Sequence, residues 1–234
     1  SAASDVYKRQ LALIAATVFW KILPESRNFR ASSLKPRNLV NGFVMHFKDA
    51  GLPWLFLEAF LLMGAFVTMF NYIGYRLLAS PYELSQAVVG LLSLVYLSGI
   101  YSSAKIGSLA DRLGRRRVLW GTIVLMLSGM LLTLFTPLWL VVPGMLIFTF
   151  GFFGAHSVAS SWIGRRAVKA KGQASSLYLF CYYVGSSVAG TAGGFFWHFA
   201  GWNGIGGFIV ALLIGALLVA LKLAKLPPLG NVKT

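Results

Sequence analysis

The chain has 234 residues, of which 57% are hydrophobic and only 12% are charged. A soluble domain usually has about twice that charged fraction, so the composition excludes an ordinary soluble protein and predicts a chain that lies mostly in a lipid bilayer. The formal net charge is +15. The basic residues cluster at the ends of apolar runs, which favours a role in membrane topology over nucleic-acid binding. The single cysteine, Cys181, excludes an internal disulfide, and the sequence predicts no metal site and no cofactor.

The first 52 residues divide into three segments, none of which is a complete membrane span. Residues 1–10 (SAASDVYKRQ) differ in character from the rest of the chain and are interpreted as a scar of expression or sequence assembly. Residues 11–23 are an apolar run of 13 residues, which is too short to cross a bilayer by itself. Residues 24–52 carry scattered Lys and Arg side chains and fit a cytoplasmic loop.

Six apolar segments come next, each about long enough to cross a bilayer. They are predicted at Pro53–Leu78, Ala87–Ala104, Val118–Phe135, Leu138–Trp162, Ala174–Trp197 and Asn203–Leu221. Lys and Arg concentrate in every second connection, at residues 24–52, 105–117, 165–171 and 222–234, and are nearly absent in between. Because Lys and Arg are retained on the cytoplasmic side, the alternation predicts a multi-pass membrane protein with a cytoplasmic C-terminus.

The connection between the second and third spans contains the basic stretch GSLADRLGRRR at residues 107–117. It fits the pattern Gly-x-Leu-x-Asp-Arg-x-Gly-Arg-Arg through Gly107, Leu109, Asp111, Arg112, Gly114, Arg115 and Arg116. This pattern resembles the signature loop of the major facilitator superfamily of secondary transporters, which joins the second and third helices of each six-helix half. The alternative interpretation is an ordinary basic cytoplasmic loop with an incidental aspartate.

The resemblance implies an all-α polytopic membrane protein that corresponds to the C-terminal half of such a transporter. The six spans are then helices 7–12 and form a six-helix bundle of two inverted three-helix repeats at residues 53–221. Residues 11–23 are the end of helix 6, residues 24–52 the central cytoplasmic loop and residues 222–234 a cytoplasmic tail. The sequences LPES at residues 23–26 and FNYIGYR at residues 70–76 look most like the bacterial inner-membrane drug and sugar efflux permeases.

The resemblance further implies a secondary active transporter and not an enzyme, and the sequence contains no catalytic motif. The implied mechanism is alternating access, with proton-coupled export of a small molecule across the bacterial inner membrane. The implied partners are the lipid bilayer, the substrate, protons and the N-terminal half that this sequence lacks. Two alternatives stay open: a half-carrier that works as a homodimer, and a membrane anchor or sensor that transports nothing.

Two ionisable residues are predicted to lie within the membrane. Glu58 is about five residues inside helix 7, and His156 is about six residues before the end of helix 10. In the family these two helices line the central cavity, so the pair is a candidate proton-coupling site. An ionisable group at this depth is costly and by default suggests a function, and histidine titrates near neutral pH. The alternative is a structural pair, or a Glu58 side chain that extends to the membrane interface.

Polar aromatic residues on helices 7 and 11 are candidates for the substrate cavity. They are Asn71, Tyr72 and Tyr75 on helix 7, and Tyr182 and Tyr183 on helix 11. The first three share a part of helix 7 that commonly lines the outer cavity in the family. The alternative, which suits Tyr75 and its neighbour Arg76, is an aromatic belt at the membrane interface.

Small and polar residues are predicted to hold the helices together. Helix 11 carries Gly185, Gly190, Gly193 and Gly194, which form a small face of the GxxxG type and allow close packing of another helix. Ser93, Ser98, Ser102 and Ser103 on helix 8 are predicted to form hydrogen bonds between helices. Asp111 is expected to meet the positive N-terminal end of a helix in the other half of the transporter, a contact worth about 0.3–1 kcal/mol when exposed.

Overall fold

The structure is a computed structural model that describes residues 2–24 and 36–226. Within these ranges the chain is helical and contains no strand, which confirms the all-α prediction. In chain order the helices are α1 (Ala2–Ile22), α2 (Pro36–Phe47), α3 (Leu52–Leu78), α4 (Gln86–Leu91), α5 (Tyr96–Leu113), α6 (Arg115–Leu132), α7 (Leu138–Arg166) and α8 (Lys171–Lys225). A 3₁₀ turn at Leu92–Val95 joins α4 to α5, so the two form one stretch over residues 86–113.

Helix α1 belongs to a separate structural unit, residues 1–38. It begins at Ala2, so the helix starts nine residues before the apolar run, which begins at Leu11. The segment contains neither Gly nor Pro before Pro24, so nothing in it stops a helix earlier. The origin of residues 1–10 stays a prediction. The last two residues of LPES and most of the predicted C-terminal tail lie outside the described residues.

Within residues 2–24 and 36–226, four helical stretches are long and apolar enough to cross a membrane: α3, residues 86–113, α7 and α8. Helix α8 has 55 residues and holds two predicted spans, because its backbone is non-helical at Ala200 and Gly201. Gly201 has a φ of +54°, which favours glycine. The break separates α8a (residues 171–199) from α8b (residues 202–225). Helix α6 begins with three arginines, which lower its apolarity, but it covers most of the third predicted span.

Several helix ends differ from the prediction, among them those at the basic connections 105–117 and 165–171. Helix α5 continues to Leu113 and does not end at Ala104, so residues 107–112 of the basic stretch are helical. Gly114 alone makes the turn into α6, with a φ of +91° that a residue with a Cβ rarely adopts. Helix α7 continues to Arg166 and does not end at Trp162. Both extensions contain Arg or Lys, and these residues form helices readily. The prediction placed the end of each span before its first basic residue, so it stopped short of the helix end.

The helix ends define two ends of the bundle formed by α3 to α8. At the basic end, α5 meets α6 at Gly114, and Arg165 near the end of α7 forms an ion pair with Asp111 of α5. Helix α3 begins at this end, and α8a begins here at Lys171. The opposite end contains the last residues of α3 and α6 and the break at Gly201.

Close contacts between helix backbones hold the bundle together. A Cβ on Gly129 of α6 would lie 2.4 Å from the backbone nitrogen of Phe148 in α7, and one on Gly151 of α7 would lie 2.7 Å from the carbonyl oxygen of Thr122 in α6. Only glycine fits at such positions, so α6 and α7 pack backbone to backbone. Helix α5 is tied to α7 by Ser102, whose hydroxyl donates to the Phe150 carbonyl at 2.6 Å.

The serine prediction for helix 8 is therefore correct for Ser102 and wrong for two others. Ser93 and Ser98 donate to carbonyls three residues earlier in their own segment, at 2.8 and 2.7 Å. Ser103 contributes through its backbone, because its carbonyl accepts a hydrogen bond from Ser157 of α7 at 3.2 Å. A serine can satisfy its hydroxyl within its own helix, and the sequence pattern does not distinguish that choice from an inter-helix bond.

Arg76 connects three helices at the opposite end. Its guanidinium donates to the carbonyls of Thr133 and Phe135, which come just after the end of α6, and to the hydroxyl of Tyr82. The indole nitrogen of Trp202 in α8b donates to the same Thr133 carbonyl at 2.9 Å. A cation at a helix C-terminus is favourable because the terminal carbonyls have no partners within the helix. We call Arg76, Tyr82, Thr133 and Trp202 the Arg76 cluster.

Candidate functional site

Glu58 is a fully buried carboxylate on α3, six positions after the helix begins. Its side chain is 0% exposed, and neither carboxylate oxygen has a hydrogen-bond partner among the described residues. Buried polar groups are nearly always hydrogen-bonded, so an unpartnered carboxylate inside a membrane helix needs a functional explanation. The alternative of a Glu58 side chain that extends to the interface does not fit its complete burial.

His156 on α7 is hydrogen-bonded to a tyrosine of α8a. The Tyr178 hydroxyl and the His156 Nδ1 atom are 3.0 Å apart, and the donor of this bond depends on the tautomer of the imidazole. Tyr178 is 2% exposed. Tyr178 therefore joins α8a to α7 at His156.

Glu58 and His156 themselves form no ion pair or hydrogen bond within the described part of the chain. Helix α7 ends at Arg166, so His156 lies ten residues from its helix end, whereas Glu58 lies six residues from the start of α3. At 1.5 Å per residue, His156 lies about 15 Å and Glu58 about 9 Å from the helix ends. The difference in depth is larger than the sequence predicts.

A cavity of about 160 Å³ adjoins His156 on the α7 and α8a side. It is lined by His156, Ser160, Ile163, Ser175, Tyr178 and Leu179. One water molecule takes about 30 Å³ in the liquid and needs two to four polar partners. The imidazole and the hydroxyls of the lining supply such partners, so the cavity is suited to hydrate the exposed side of His156.

Aromatic rings continue from His156 through the bundle toward the opposite end. The ring centroids of His156 and Phe152 are 6.0 Å apart, and Phe152 stacks on Phe66 of α3 at 3.9 Å. Phe66 in turn lies 5.7 Å from Tyr96 of α5, which contacts Phe70 at 4.9 Å. The sequence analysis did not identify this column, because its members come from three helices and each has an ordinary apolar neighbourhood in sequence.

Of the three predicted cavity residues on helix 7, one is hydrogen-bonded to α8a and two are exposed. Tyr72 donates its hydroxyl to the Gly190 carbonyl of α8a at 3.1 Å. Its ring lies 5.9 Å from that of Trp197. Asn71 and Tyr75 are exposed on the surface of this chain. Tyr72 therefore joins α3 to α8a, and Asn71 and Tyr75 present polar groups beside it.

The two tyrosines of helix 11 lie near His156 but differ in exposure. The Tyr182 ring is 5.0 Å from the His156 ring and is partly buried. Tyr183 is exposed, and its ring meets that of Tyr182 edge to face at 5.3 Å. Tyr178, one turn earlier on the same helix, forms the hydrogen bond to His156 instead. A tyrosine three or four residues earlier on a helix shares the same face, and that spacing was the available signal for Tyr178.

The glycines of α8a face α3, and the space available for a Cβ differs from one glycine to the next. A Cβ on Gly185 would lie 2.2 Å from the Phe60 carbonyl oxygen, and one on Gly193 would lie 2.6 Å from the Tyr72 ring. At Gly190 and Gly194 the nearest atoms are side-chain atoms of α3, at 3.1 and 3.3 Å. All four glycines thus lie along the contact between α8a and α3, with the least space at Gly185.

The signature residues lie at the basic end, on α5, at the Gly114 turn and at the start of α6. Asp111 pairs with Arg115 one turn ahead and with Arg165 of α7 at 3.2 Å, and its side chain is 56% exposed. Arg116 donates to the Ala224 carbonyl at the end of α8b at 3.1 Å. Gly107 lies close to Ser157 of α7, whereas Leu109 and Arg112 are exposed. The pattern thus connects α5, α6, α7 and α8b within this chain.

A second ion pair at the basic end was not predicted. Asp49, just before α3, accepts hydrogen bonds from the backbone nitrogens of Gly51 and Leu52 at 2.8 Å each and from Arg166 of α7. Burial by itself would raise the pKa of Asp49. The hydrogen bonds from Arg166, Gly51 and Leu52, together with the Arg166 charge, outweigh burial and lower that pKa below its ordinary value. Asp49 and Arg166 are far apart in sequence, so no local pattern reveals the pair.

Comparison with known proteins connects these features to one family. The chain matches the family model of the Major Facilitator Superfamily over residues 11–190 and 73–233. These ranges include every candidate site residue named above.

Curated relatives resemble the chain over most of its length. It is 62% identical to the inner membrane transport protein YnfM of Escherichia coli (strain K12) over 214 residues, which are 92% of this chain and 51% of the relative. It is 46% identical to the uncharacterized MFS-type transporter YybF of Bacillus subtilis (strain 168) over 226 residues, which are 95% of this chain and 56% of that protein. The chain therefore spans about half the length of the curated relatives that it matches.

Proposed function

Because the chain belongs to the major facilitator superfamily, we propose that it forms the C-terminal half of a secondary transporter that exports a small molecule in exchange for protons. The stretches α3, 86–113, α6, α7, α8a and α8b correspond in order to helices 7–12 of the family. The half-length match to the relatives supports this assignment. The transporter works by alternating access, in which two halves move about a site near the middle of the membrane.

The proposed location is the bacterial inner membrane, with the basic end in the cytoplasm. The name of the Escherichia coli relative supports the inner membrane. The arginines and lysines around Gly114, Arg165 and Lys171 support the orientation, because such residues are retained on the cytoplasmic side. The C-terminus then lies in the cytoplasm as well.

The observation that carries proton coupling is the unpartnered burial of Glu58, and the buried hydrogen bond between Tyr178 and His156 accompanies it. A carboxylate in this position can be neutral when it holds a proton, and it needs a partner or water when it does not. Its protonation state is therefore coupled to the local packing of α3 against α8a. Such coupling is what an exchanger needs, because the proton must bias the equilibrium between two conformations.

The proposed substrate region is the surface that α3 and α8a share with the other half. Asn71, Tyr75 and Tyr183 are exposed in this chain and have amide or hydroxyl groups next to aromatic surface. Small-molecule sites typically combine an aromatic wall with a few polar groups. Tyr72 shapes this wall, since its own hydroxyl is bonded to Gly190.

The test uses the full-length carrier in proteoliposomes, with Glu58→Gln as the central variant. We expect Glu58→Gln to abolish proton-driven export while substrate binding and substrate exchange persist, because the glutamine keeps the shape but cannot release a proton. Proton flux is followed with a pH-sensitive dye inside the vesicles. Glu83→Gln is the matched control, since Glu83 is an exposed carboxylate in a connection outside the bundle core. Proton-coupled export at the wild-type rate in Glu58→Gln would remove Glu58 from the mechanism.

A further inference from the structure

We propose that the cavity between the end of α2 and the end of α7 binds the phosphate group of an anionic phospholipid. The cavity has a volume of about 360 Å³. Its lining comes from two short segments and consists of Met45, His46, Lys48, Asp49, Leu52, Arg166, Ala167, Val168 and Lys169. This inference goes beyond the proposed transport function and uses the proposed orientation only to name the cytoplasmic leaflet.

Two contacts between residues distant in sequence hold the walls of the cavity together. On one side, the Nε2 atom of His46 lies 3.1 Å from the Ala170 carbonyl oxygen. A carbonyl oxygen can only accept, so Nε2 carries the hydrogen and donates it. On the other side, Arg166 donates from Nε to the Asp49 carboxylate. His46 is 2% exposed and Arg166 is 8% exposed, so buried groups fix both walls.

The lining contains three cationic side chains and one carboxylate. The side chains of Lys48 and Lys169 are exposed and have no ion pair or hydrogen bond with any described residue. Arg166 uses Nε for Asp49, which leaves its two terminal NH₂ groups for another acceptor. The Asp49 carboxylate already accepts from Arg166 and from two backbone nitrogens. The unpaired charge at the cavity is therefore positive, and the oxygens of a phosphate complement it.

Apolar side chains at the cavity favour a phospholipid over a free phosphate ion. Met45 and Val168 line the cavity and are 38% and 66% exposed. Val44 and Phe47, which lie beside Met45 and His46 on α2, are exposed as well. Exposed apolar side chains next to basic residues are typical of surfaces that lie in the membrane interface. A phospholipid joins the two complementary groups, a phosphate and an acyl chain, in one molecule.

A lipid bound here would bridge two connections at the basic end of the bundle. Lys48 lies in the link from α2 to α3, and Lys169 lies in the link from α7 to α8a. A phosphate between them would be attracted to both lysines at once. A ligand that binds only the folded state stabilises that state, so we expect the lipid to stabilise the arrangement of α3, α7 and α8a at this end.

The first experiment measures lipid binding to the 234-residue chain by native mass spectrometry in detergent. The probe is dioleoyl phosphatidylglycerol, and dioleoyl phosphatidylcholine is the zwitterionic comparison, which we expect to bind more weakly. The double variant Lys48→Gln/Lys169→Gln should bind the anionic lipid roughly 25-fold more weakly, since each lysine near an anionic lipid contributes about fivefold. Unchanged binding of phosphatidylglycerol in this variant would overturn the inference.

The matched control is the double variant Lys171→Gln/Lys225→Gln. Both lysines are exposed, Lys171 at the start of α8a and Lys225 at the end of α8b, and neither lines the cavity. The control loses the same charge and should bind phosphatidylglycerol as the wild type does. Equal losses in the two double variants would show a general attraction to the basic end and would contradict a site in the cavity.

A position-specific measurement uses phosphatidylglycerol with a photoreactive diazirine next to its phosphate. After illumination and proteolysis, we expect the lipid on peptides that contain residues 45–49 and 166–169. The cavity double variant should lose this label, and the control double variant should keep it. Label confined to other segments of the wild-type chain would refute the site.

Thermal unfolding distinguishes the lipid from a free anion. Phosphatidylglycerol should raise the Tm of the wild type but not that of Lys48→Gln/Lys169→Gln, and the two proteins should have the same Tm without lipid. Inorganic phosphate at the same concentration should leave the wild-type Tm unchanged; a rise equal to that with the lipid would overturn the lipid assignment. None of these measurements depends on transport, so a carrier that moves no protons would contradict the proposed function alone.

Discussion

Gly185 offers a quantitative test of the contact between α8a and α3. An alanine there would place its Cβ 2.2 Å from the Phe60 carbonyl oxygen and 2.7 Å from the Phe60 Cα. Ordinary contacts begin at about 3.4 Å, so the two helices would have to separate by about 1 Å. Overpacking costs about 1–3 kcal/mol, and the gain in helix propensity from Gly to Ala returns about 1 kcal/mol. Because backbone atoms cannot rotate away, we expect an overpacking cost of about 3 kcal/mol. After the gain in helix propensity, the net loss of stability is about 2 kcal/mol.

The assay is thermal unfolding in detergent, monitored by tryptophan fluorescence. A loss of about 2 kcal/mol should lower Tm by roughly 4–8 °C for a chain of this size. Gly207→Ala in α8b is the control, because no atom lies within 4 Å of its added Cβ, and it should keep or raise Tm. Gly190→Ala should fall between them, since its nearest neighbours are the movable side chains of Asn71 and Val67 at 3.1 Å. Equal Tm values for the Gly185 and Gly207 variants would refute the close approach.

Two further predictions concern the basic end and the topology. The Asp49–Arg166 pair should stabilise the fold fully above the unfolded aspartate pKa of about 3.9 and lose its effect as pH falls through the lower pKa of the folded state. Asp49→Asn should therefore lower Tm at neutral pH, and the gap to the wild type should close in acid; a gap that is independent of pH would contradict the ion pair. In a Cys181→Ala background, Ser108→Cys should react with an impermeant thiol reagent only from the cytoplasm and Ser80→Cys only from the periplasm, and the reverse pattern would invert the proposed orientation.

The spans could be predicted from the sequence because each depends on local composition. Apolar length predicts six spans, and the described chain is helical through each of them, with the non-helical residues Ala200 and Gly201 between the last two. The ends of the helices could not be predicted as closely, because an arginine can extend a membrane helix with its charge in the interface. That is why α5 reaches Leu113 and α7 reaches Arg166, beyond their predicted ends.

The candidate site could be predicted only in part. Glu58 and His156 stand out because ionisable residues are rare in apolar runs. Tyr178 does not stand out, because a tyrosine near a helix start is common at a membrane interface. Its hydrogen bond to His156 depends on how α8a is rotated against α7, which the local sequence does not specify. The Asp49–Arg166 pair was missed for the same reason, since it joins segments 117 residues apart.

Arg76 and Glu58 occupy the same helix, 18 positions apart, which is about 27 Å along α3. Since Arg76 and Trp202 bind one carbonyl oxygen of Thr133, α3, α6 and α8b are fastened to each other at the opposite end. Because α3 is held at its Arg76 end, a small displacement near Glu58 would tilt the whole helix together with α6 and α8b. A change in packing around Glu58 would therefore be expressed less as local bending than as a rotation of this group of helices as one body.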